Sequence, residues 1–544
     1  MAAQSPDPSG RRFAAAVFAA GCLIAGAFAF VGLSTGGFWT DELFTLFLID
    51  HHGGAGEVWR RALTDTQPPL YYLLLYGWAG IAGRSEAALR ALSGAMSILA
   101  LAVFFVGTAR LITLPGRLFA TAAAAAAPFW FLQSQNARNY ALCLLISSIL
   151  LALALRAREA AREGRPVSPS VLAGLSVFGA VGAFTHFYEF LAVGLLYLFL
   201  IITLRQRRLT VVLTLAGAMI FGGEVAFIHA LLAGTQQNIH DMWFGRSVGF
   251  FLIQGLDVLE GFFAPGTAVA VLVLAGRFVV RPRGAARQDR PHAVSIADMK
   301  WSLRLAVMMA LGLVGIGIAV SLLFAPSFSA RNILVASPFF WPALGLMFDA
   351  ATVGARRSWV ALATAAALAA QLLGQTNRWR LIDEPWRESA RYVLSTSACA
   401  GAEIPVVMPG QFGPPTPFFR TLFAQDFYGR YFDGQAARLT VLTAEDLAVP
   451  ARNPTLRRRL GPDADDACPI LAWAVHDMDA IAARRLADRM ALAAGVPRGA
   501  VTARAIWNYR MVWAFVRPNP RAWVLIRTPA PTDAPEGALA KALR

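Results

Sequence analysis

The stretch ARNYALCLLISSILLALALRAR, residues 137–158, decides the fold. It opens on a polar corner around Arg138, continues as an apolar run to Leu155, and closes on Arg156 and Arg158. About 20 apolar residues cross a hydrocarbon core of about 30 Å as a helix, and arginines collect at the cytoplasmic ends of such helices. The stretch therefore predicts a membrane-spanning helix with a polar corner at its outer end.

The composition of the whole chain agrees with this prediction. Of its 544 residues, 57% are hydrophobic and 15% are charged, and the mean hydropathy is +0.52. Soluble domains are about half apolar and about a quarter charged. The net charge of +16 comes from arginines in short clusters between apolar runs. Such clusters are typical of membrane loops, and the absence of a basic face with interleaved aromatics argues against a nucleic-acid partner.

Eleven apolar runs have about the length of a membrane span. They are 13–33, 88–109, 115–133, 137–155, 169–186, 188–204, 209–233, 263–280, 303–324, 331–349 and 357–375. Five basic loops lie between them, and the positive-inside rule places all five in the cytoplasm. That placement requires the shorter aromatic run 67–83 to lie in the outer interface instead of crossing.

This topology predicts a multi-pass protein of a bacterial inner membrane, with a cytoplasmic N-terminus. We expect a mainly α polytopic membrane domain over residues 1–375, with about 11 transmembrane helices, interfacial helices and a first outer loop over 34–87. Residues 376–544 are more polar and lie outside in this topology. They are predicted to form a C-terminal α/β periplasmic domain.

Four strand-like runs and one helical run support the α/β prediction. The strand-like runs are 404–408, 439–443, 469–475 and 505–516, and the helical run is 480–494. Cys399 and Cys468 fall in this part, where an oxidising periplasm would favour a disulfide between them. The alternative is a pair of free buried thiols. Cys22 and Cys143 lie in apolar spans and are expected to be packing residues.

Polar and ionisable residues collect at the predicted outer corners. Ionisable groups at membrane depth are costly, so their convergence from several corners on one leaflet indicates a functional site. The candidates are Asp41, Glu42, Gln67, Tyr71, Arg138, Tyr140, His186, Tyr188, Glu189, Arg246 and Arg331.

The acidic pair Asp41-Glu42 directly follows the first span and the aromatic residues Phe38-Trp39. A structural explanation is that Asp41 caps a helix that begins at Glu42. That explanation does not account for two acids at a depth where acids are unfavourable. Capping and catalysis are compatible, because a cap would also hold the carboxylate rigid.

The order of these motifs resembles the membrane glycosyltransferases of fold type C, in particular the protein O-mannosyltransferase and lipid A aminoarabinose transferase superfamily. With the span pattern, the resemblance covers roughly residues 10–375. Its pieces are Phe38-Trp39-Thr40-Asp41-Glu42, Gln67-Pro68-Pro69-Leu70-Tyr71-Tyr72, Ala137-Arg138-Asn139-Tyr140 and Ala330-Arg331-Asn332.

The resemblance implies an inverting transfer of a sugar from a polyprenyl-phosphate carrier to an acceptor hydroxyl at the outer face. By that resemblance, Asp41 and Glu42 would be the catalytic acids, with Asp41 as the general base or as an acid that positions the acceptor. The aminoarabinose transferases have an arginine where this chain has Phe44, and a lysine where it has Gln67. The candidates for holding the donor phosphate are therefore Arg138, Arg246 and Arg331.

The remaining candidates, Gln67, Tyr71, Tyr140, His186, Tyr188 and Glu189, are expected to bind the substrate. The sequence requires no cofactor, and no histidine spacing indicates a metal site, so a divalent ion at the acid pair has no support. Two other functions stay open: a transporter or flippase, and a polysaccharide polymerase or ligase of lipid-linked glycans. A transporter would show internal repeats and helices broken within the membrane. The sugar and the acceptor, whether glycan, lipid or protein, are not readable from the sequence.

Overall fold

Helices account for most of the chain in this computed structural model. It describes residues 9–49, 53–63, 65–234, 245–279, 296–352, 358–374, 386–396, 399, 401, 403–407, 421–432, 439–442, 454–462, 470–473, 480–512 and 515–527. The chain divides into two units. The first comprises Met1–Ser34 with Leu48–Trp379, and the second comprises Thr35–Phe47 with Arg380–Arg544.

The helices of the N-terminal three quarters of the chain are numbered in chain order. They are α1 (Ser9–Phe28), α2 (Thr40–Ile49), α3 (Gly54–Ala62), α4 (Leu70–Ala82), α5 (Glu86–Gly107), α6 (Leu114–Ala126), α7 (Pro128–Ser134), α8 (Tyr140–Arg162), α9 (Pro169–Ala183), α10 (Phe187–Leu204), α11 (Arg207–Gly234), α12 (Val248–Phe262), α13 (Pro265–Val279), α14 (Ile296–Leu323), α15 (Ala330–Ile333), α16 (Trp341–Thr352) and α17 (Ser358–Gly374). A 3₁₀ segment, Leu334–Phe339, joins α15 to α16. All belong to the first unit except most of α2, which crosses into it at Leu48.

Among the described residues, five helices are long and apolar enough to cross a membrane: α5, α8, α10, α11 and α14. Two further pairs pass the same test together but are bent. The bend is 84° between α12 and α13, and 52° between the segment Ala330–Phe339 and α16. The chain is therefore a mainly helical, multi-pass membrane protein with at least five spans. The number eleven stays a prediction.

The helix α12 is absent from the sequence prediction, which began a span only at residue 263. Its three polar residues, Gln254, Asp257 and Glu260, interrupt the apolar run at intervals of three and so conceal it. In a helix that spacing places them on one face. Ser247 caps the helix by accepting the Phe250 N–H at 3.1 Å.

The helix α8 is the most enclosed of the five candidate spans, with 67% of its apolar window buried. It packs against α5 and α9. Trp130 joins α7 to α5, because its indole Nε1–H donates to the Ser97 carbonyl at 3.1 Å. At its two ends, Arg138 and Arg158 are both buried.

The second unit contains a five-stranded sheet of order β2-β1-β3-β5-β4. Its strands are β1 (Ile404–Val407), β2 (Leu439–Leu442), β3 (Ile470–Trp473), β4 (Val501–Val512) and β5 (Phe515–Arg527), and its helices are α18 (Trp386–Leu394), α19 (Pro454–Leu460) and α20 (Ala480–Ala493). The strand β1 is parallel to β2 and β3, whereas β5 is antiparallel to β3 and β4. A core of apolar side chains from α19, α20 and the sheet joins these elements.

The first three predicted strands and the predicted helix of this part are confirmed. The prediction of one strand over 505–516 is wrong, because the chain there forms two long antiparallel strands, β4 and β5. Alternating patterns continue through a short reversal, so periodicity alone does not locate it. Cys399 is disulfide-bonded, Cys468 lies outside the described residues, and Cys22 and Cys143 are free thiols.

Candidate functional site

The acidic pair lies at the start of α2, in the second unit. The helix begins at Thr40, so Asp41 lies inside its first turn instead of at the cap position. Glu42 is fully buried, and its Oε2 accepts the Trp39 backbone N–H at 3.2 Å. A glutamate at the third helical position that accepts the N-cap N–H forms one half of a capping box. The structure therefore gives Glu42 a capping role.

Asp41 itself is half-buried. The Thr45 hydroxyl donates to the Asp41 carbonyl at 2.9 Å, which fastens the first turn from within the helix. The N-terminal turn of a helix favours negative charge, because its backbone N–H groups have no carbonyl partners. Asp41 is thus a partly accessible carboxylate at a position that stabilises its charged form.

In the first unit, three corners bring together five residues that we call the corner cluster: Arg138, Tyr140, His186, Arg331 and Asn332. The corners precede α8, α10 and the 3₁₀ segment after α15. The Arg331 Cζ is 6.0 Å from the centroid of the Tyr140 ring, and that ring is 5.4 Å from the imidazole of His186. Arg138 and Arg331 both act electrostatically on His186. The structure therefore brings four of the predicted site residues together from separate corners: Arg138, Tyr140, His186 and Arg331.

His186 lies between α9 and α10, outside both helices, and is completely buried. Its Nδ1 accepts the Tyr188 N–H at 3.0 Å, so the ring proton of the neutral form lies on Nε2. Burial lowers the pKa of His186 to about 3, and the guanidinium groups of Arg138 and Arg331 lower it as well, against a smaller opposite effect of the Asn332 side chain. No atom of the described residues meets hydrogen-bonding geometry with Nε2. The corner cluster thus holds a neutral imidazole whose Nε2–H has the Asn332 side chain beside it but no hydrogen bond of full geometry.

The segment before α4 packs against the same corner. The Leu70 N–H donates to the Phe184 carbonyl at 3.3 Å, and the Tyr72 hydroxyl is hydrogen-bonded to Asp65. Arg138 also acts electrostatically on Tyr72. Gln67 Oε1 is buried and has no hydrogen-bond partner among the residues that the structure describes.

Two further residues complete this region. Tyr71 is fully buried, with its ring 6.0 Å from that of Tyr72. The Asn139 Nδ2 donates to the Thr185 carbonyl at 2.9 Å, while its Oδ1 has no partner within the described part of the chain. Buried polar atoms are nearly always hydrogen-bonded in folded proteins. Three such atoms in one region, on Gln67, Asn139 and His186, indicate a place where a polar ligand binds.

Tyr188 and Glu189 follow His186 in the chain, and the Tyr188 ring lies 6.3 Å from the imidazole of His186. The Tyr188 hydroxyl lies 3.3 Å from the Ser327 Oγ. The Glu189 carboxylate is fully buried and accepts the Ser147 hydroxyl of α8 at 2.7 Å. Both residues tie the start of α10 to its surroundings, which gives them a structural role beside any contact with a substrate.

Arg246 lies on the surface at the start of the α12 region. It is exposed, and its Nη2 donates to the Phe324 carbonyl at 3.4 Å. No described contact joins it to Arg138, Arg331 or His186. Of the three predicted phosphate ligands, two are therefore together and the third is elsewhere.

A residue that the sequence analysis missed is Gln254 on α12. Its Oε1 accepts the Ala330 N–H at 2.8 Å, and its Nε2 donates to Asp257 at 3.0 Å. Gln254 thereby holds the turn that carries Arg331. The available signal was the three-residue spacing of polar groups in an otherwise apolar stretch.

The corner cluster has the chemistry of an anion site. Two guanidinium groups and an imidazole N–H can donate several hydrogen bonds to the oxygens of one phosphate. Because the site is buried, these charges act with little screening by water. Among the described residues, no group of three potential His, Cys, Asp or Glu metal ligands occurs.

No family model matches the chain, and no curated protein matches it in sequence. Among solved structures, it is similar to ArnT from Cupriavidus metallidurans bound to undecaprenyl phosphate, with 15% identity, a TM-score of 0.47, and coverage of 95% of this chain and 98% of that one. It is also similar to the mycobacterial arabinofuranosyltransferase AftD (15% identity, TM-score 0.43, 96% and 40% covered). A third match is the oligosaccharyltransferase of Archaeoglobus fulgidus with Zn and sulfate (11% identity, TM-score 0.41, 93% and 73% covered). These matches agree with the resemblance drawn from the sequence, and at such scores they add no detail of function.

Proposed function

We propose that this protein transfers a sugar from a polyprenyl-phosphate carrier to an acceptor hydroxyl, with inversion at the anomeric carbon, on the periplasmic face of the inner membrane. The observation that carries the proposal is the corner cluster. It places Arg138, Arg331 and the Nε2–H donor of His186 in one buried region of a membrane protein. A carrier with a phosphate head and an isoprenoid tail suits that combination.

The corner cluster would act on the leaving group. As the bond between the anomeric carbon and the phosphate oxygen breaks, the phosphate takes the electron pair and its negative charge grows. A phosphate needs no strong acid to depart, but it needs cations already in place around it. Arg138 and Arg331 supply fixed positive charge. His186 donates a hydrogen bond and stays neutral, so it adds no proton transfer to the step.

Asp41 would act on the acceptor. Its carboxylate accepts the proton of the acceptor hydroxyl while the hydroxyl oxygen attacks the anomeric carbon from the side opposite to the phosphate. General bases of this kind contribute roughly 10²–10⁴ to the rate. Glu42 takes no proton in this scheme, because its carboxylate caps α2 through the Trp39 N–H. The assignment of Asp41 rests on the sequence resemblance and on its place in the first helical turn.

The proposal keeps the division into domains that the sequence predicts. Residues 1–375 form the membrane catalytic domain and residues 376–544 a periplasmic domain. The five arginine clusters of the predicted cytoplasmic loops support this orientation through the positive-inside rule.

The bent helix pairs favour a transporter or flippase as a second candidate. Transporters bind their substrates near breaks in discontinuous helices. The 52° bend lies between Ala330–Phe339 and α16, and Arg331 lies near the start of the first of these two segments. An anion held there could be a transported lipid phosphate instead of a leaving group.

The test of the proposal is turnover of a defined donor. Purified protein in detergent is incubated with a panel of radiolabelled undecaprenyl-phosphate sugars and a mixture of envelope acceptors, and sugar release is followed. We expect one donor to turn over, and Asp41→Asn to reduce its kcat by about 10²–10⁴. Asp488→Asn, which changes a carboxylate on α20, is the matched control and should retain full activity.

Two outcomes would count against the proposal. Equal turnover by Asp41→Asn and wild type would remove Asp41 from the chemistry. No turnover of any donor, combined with translocation of a lipid phosphate across proteoliposomes, would identify the transporter instead.

A further inference from the structure

The residues that precede Asp41 are held by the C-terminal part of the chain. Thr35–Phe47 belongs to the second unit, although more than 300 residues separate it from the rest of that unit. The Arg387 Nη2 donates to the Thr35 carbonyl at 2.5 Å. The Phe38 N–H donates to the Tyr431 hydroxyl at 2.6 Å. Both bonds end on backbone atoms, so they fix the path of the main chain into α2.

The two backbone N–H groups before α2 are both bound by side chains. Phe38 donates to Tyr431, and Trp39 donates to Glu42. The acceptor of the first bond, Tyr431, lies outside Thr35–Phe47, whereas the acceptor of the second, Glu42, lies within α2. Together they set the angle at which the chain enters the helix, three residues before Asp41.

Ring contacts add to this support. The Phe44 ring, one turn beyond Thr40, is 4.8 Å from that of Phe427, and the guanidinium of Arg430 lies 5.1 Å from the centroid of the Phe38 ring. Aromatic and cation–π contacts at these distances are favourable beyond the burial of area. The segment is therefore held on both sides of Asp41.

Gly37 packs closely against Arg387 and Tyr431. A Cβ at this position would lie 3.0 Å from the Arg387 Cβ and 3.1 Å from the Tyr431 Oη. These are tighter than ordinary contacts, so a larger residue would push both partners back. The close approach needs glycine because of the space, since the backbone here has no positive φ.

We propose that Tyr431 and Arg387 are positioning residues that hold the start of α2 so that the Asp41 carboxylate is correctly oriented for the transfer. The C-terminal part of the chain is then a component of the catalytic machinery as well as an outer domain. This inference rests on the proposed function for its effect on rate. The contact itself is testable without turnover.

The first measurement compares Tyr431→Phe with Tyr392→Phe. Both remove a hydroxyl from the second unit, but the Tyr392 hydroxyl accepts from Arg504 at 3.2 Å and does not touch Thr35–Phe47. We expect hydrogen exchange in the peptide that covers Phe38–Phe47 to become faster in Tyr431→Phe and to stay unchanged in Tyr392→Phe. Unchanged exchange in both variants would overturn the inference, whatever the activity.

The second measurement is the rate with the donor found in the panel. We expect kcat in Tyr431→Phe to fall by about tenfold or more, since a displacement of about 1 Å can cost about 10² in rate. Binding of undecaprenyl phosphate should stay within about twofold of wild type, because the change alters orientation and not donor affinity. Arg387→Lys, which keeps a cationic donor for the Thr35 carbonyl, should retain more activity than Arg387→Met.

A glycine pair gives an independent check if Tyr431→Phe folds poorly. Gly37→Ala should reduce kcat as Tyr431→Phe does, whereas Gly56→Ala on α3, where an added Cβ meets nothing within 4 Å, should not. Full kcat in both Tyr431→Phe and Gly37→Ala would contradict the positioning role. A wild type that binds the carrier but transfers no sugar would contradict the proposed function alone and leave the exchange result standing.

Discussion

Two arginine clusters lie at opposite ends of α8 and differ in what they bind. The corner cluster contains Arg138, just before the helix. At the other end, Arg158 and Arg162 meet Asp298 of α14 in what we call the Asp298 cluster, which also includes Trp301. The helix has 23 residues, so its ends are roughly 35 Å apart.

The Asp298 cluster is complete in itself. Asp298 accepts Arg158 at 2.6 Å and Arg162 at 2.7 Å, and the Ala297 carbonyl accepts a further Arg158 N–H at 3.0 Å. The Arg158 guanidinium lies 4.7 Å from the centroid of the Trp301 ring. Among the described residues, none of these side chains has a buried polar atom without a partner. This cluster joins α8 to α14.

The corner cluster retains unfilled hydrogen-bonding capacity, on His186 and on the neighbouring Gln67 and Asn139. A buried polar group without a partner costs about 1–3 kcal/mol, which a bound ligand can recover. The comparison shows that arginine content does not identify a site. The buried polar atoms without partners beside Arg138 and Arg331 are what distinguish the corner cluster as the candidate site.

The largest expected effect is a loss of stability when the Asp298 cluster is broken. Asp298→Asn should lower the free energy of unfolding by about 3–5 kcal/mol, because it leaves a buried arginine without its charge partner. Unfolding in detergent micelles, followed by helical circular dichroism, measures this. Binding of undecaprenyl phosphate by the folded fraction should not change. A loss of binding with normal stability would reverse the roles assigned to the two clusters.

The next effect is at the other end of α8, in the corner cluster. Arg331→Gln and Arg138→Gln should each reduce kcat/KM by about 10²–10³, as expected for the loss of a preorganised donor at a developing charge. Thermal stability should change much less than in Asp298→Asn. The comparison would fail if Arg331→Gln destabilised the fold and left turnover of the folded enzyme intact.

A smaller effect concerns pH. The pKa of His186 is about 3 in the folded chain, against an ordinary value near 6.5, so below pH 6.5 only the unfolded chain takes up this proton. Stability should therefore fall as the pH decreases from 7 to 5, by at most about 1.4 kcal/mol per pH unit from this group. His186→Gln should show a shallower decrease when unfolding is measured at pH 7, 6 and 5. Parallel slopes for both proteins would mean that His186 is not held neutral.

The smallest effect separates the two arginines of the Asp298 cluster. The side chain of Arg162 is 55% exposed, whereas that of Arg158 is 9% exposed. An exposed ion pair contributes at most about 1 kcal/mol. Arg162→Gln should therefore lower the unfolding free energy by less than about 1 kcal/mol and Arg158→Gln by clearly more. Equal losses would show that burial does not decide the strength of these pairs.

Much of the local structure could be predicted from the chain. Each of the eleven apolar runs contains a helix, and the first three strands of the C-terminal part lie within two residues of their predicted bounds. Hydropathy and periodicity act over short segments, and burial of apolar faces selects helix or strand there. The helix α12 was not predicted, because Gln254, Asp257 and Glu260 divide its apolar run. The reversal between β4 and β5 was not predicted, because the alternation of apolar and polar residues continues across it.

The sequence by itself determined that this is a multi-pass membrane protein, where its polar corners fall, and that Arg138, His186 and Arg331 are candidates. Only the tertiary structure decided which candidates meet, since it places Arg246 elsewhere, makes Glu42 a cap, and joins the segment of Asp41 to Tyr431. The physical reason is the range of the forces involved. Transfer into lipid acts on each segment separately, whereas the close packing that brings residues 38 and 431 together depends on the shape of the whole folded unit.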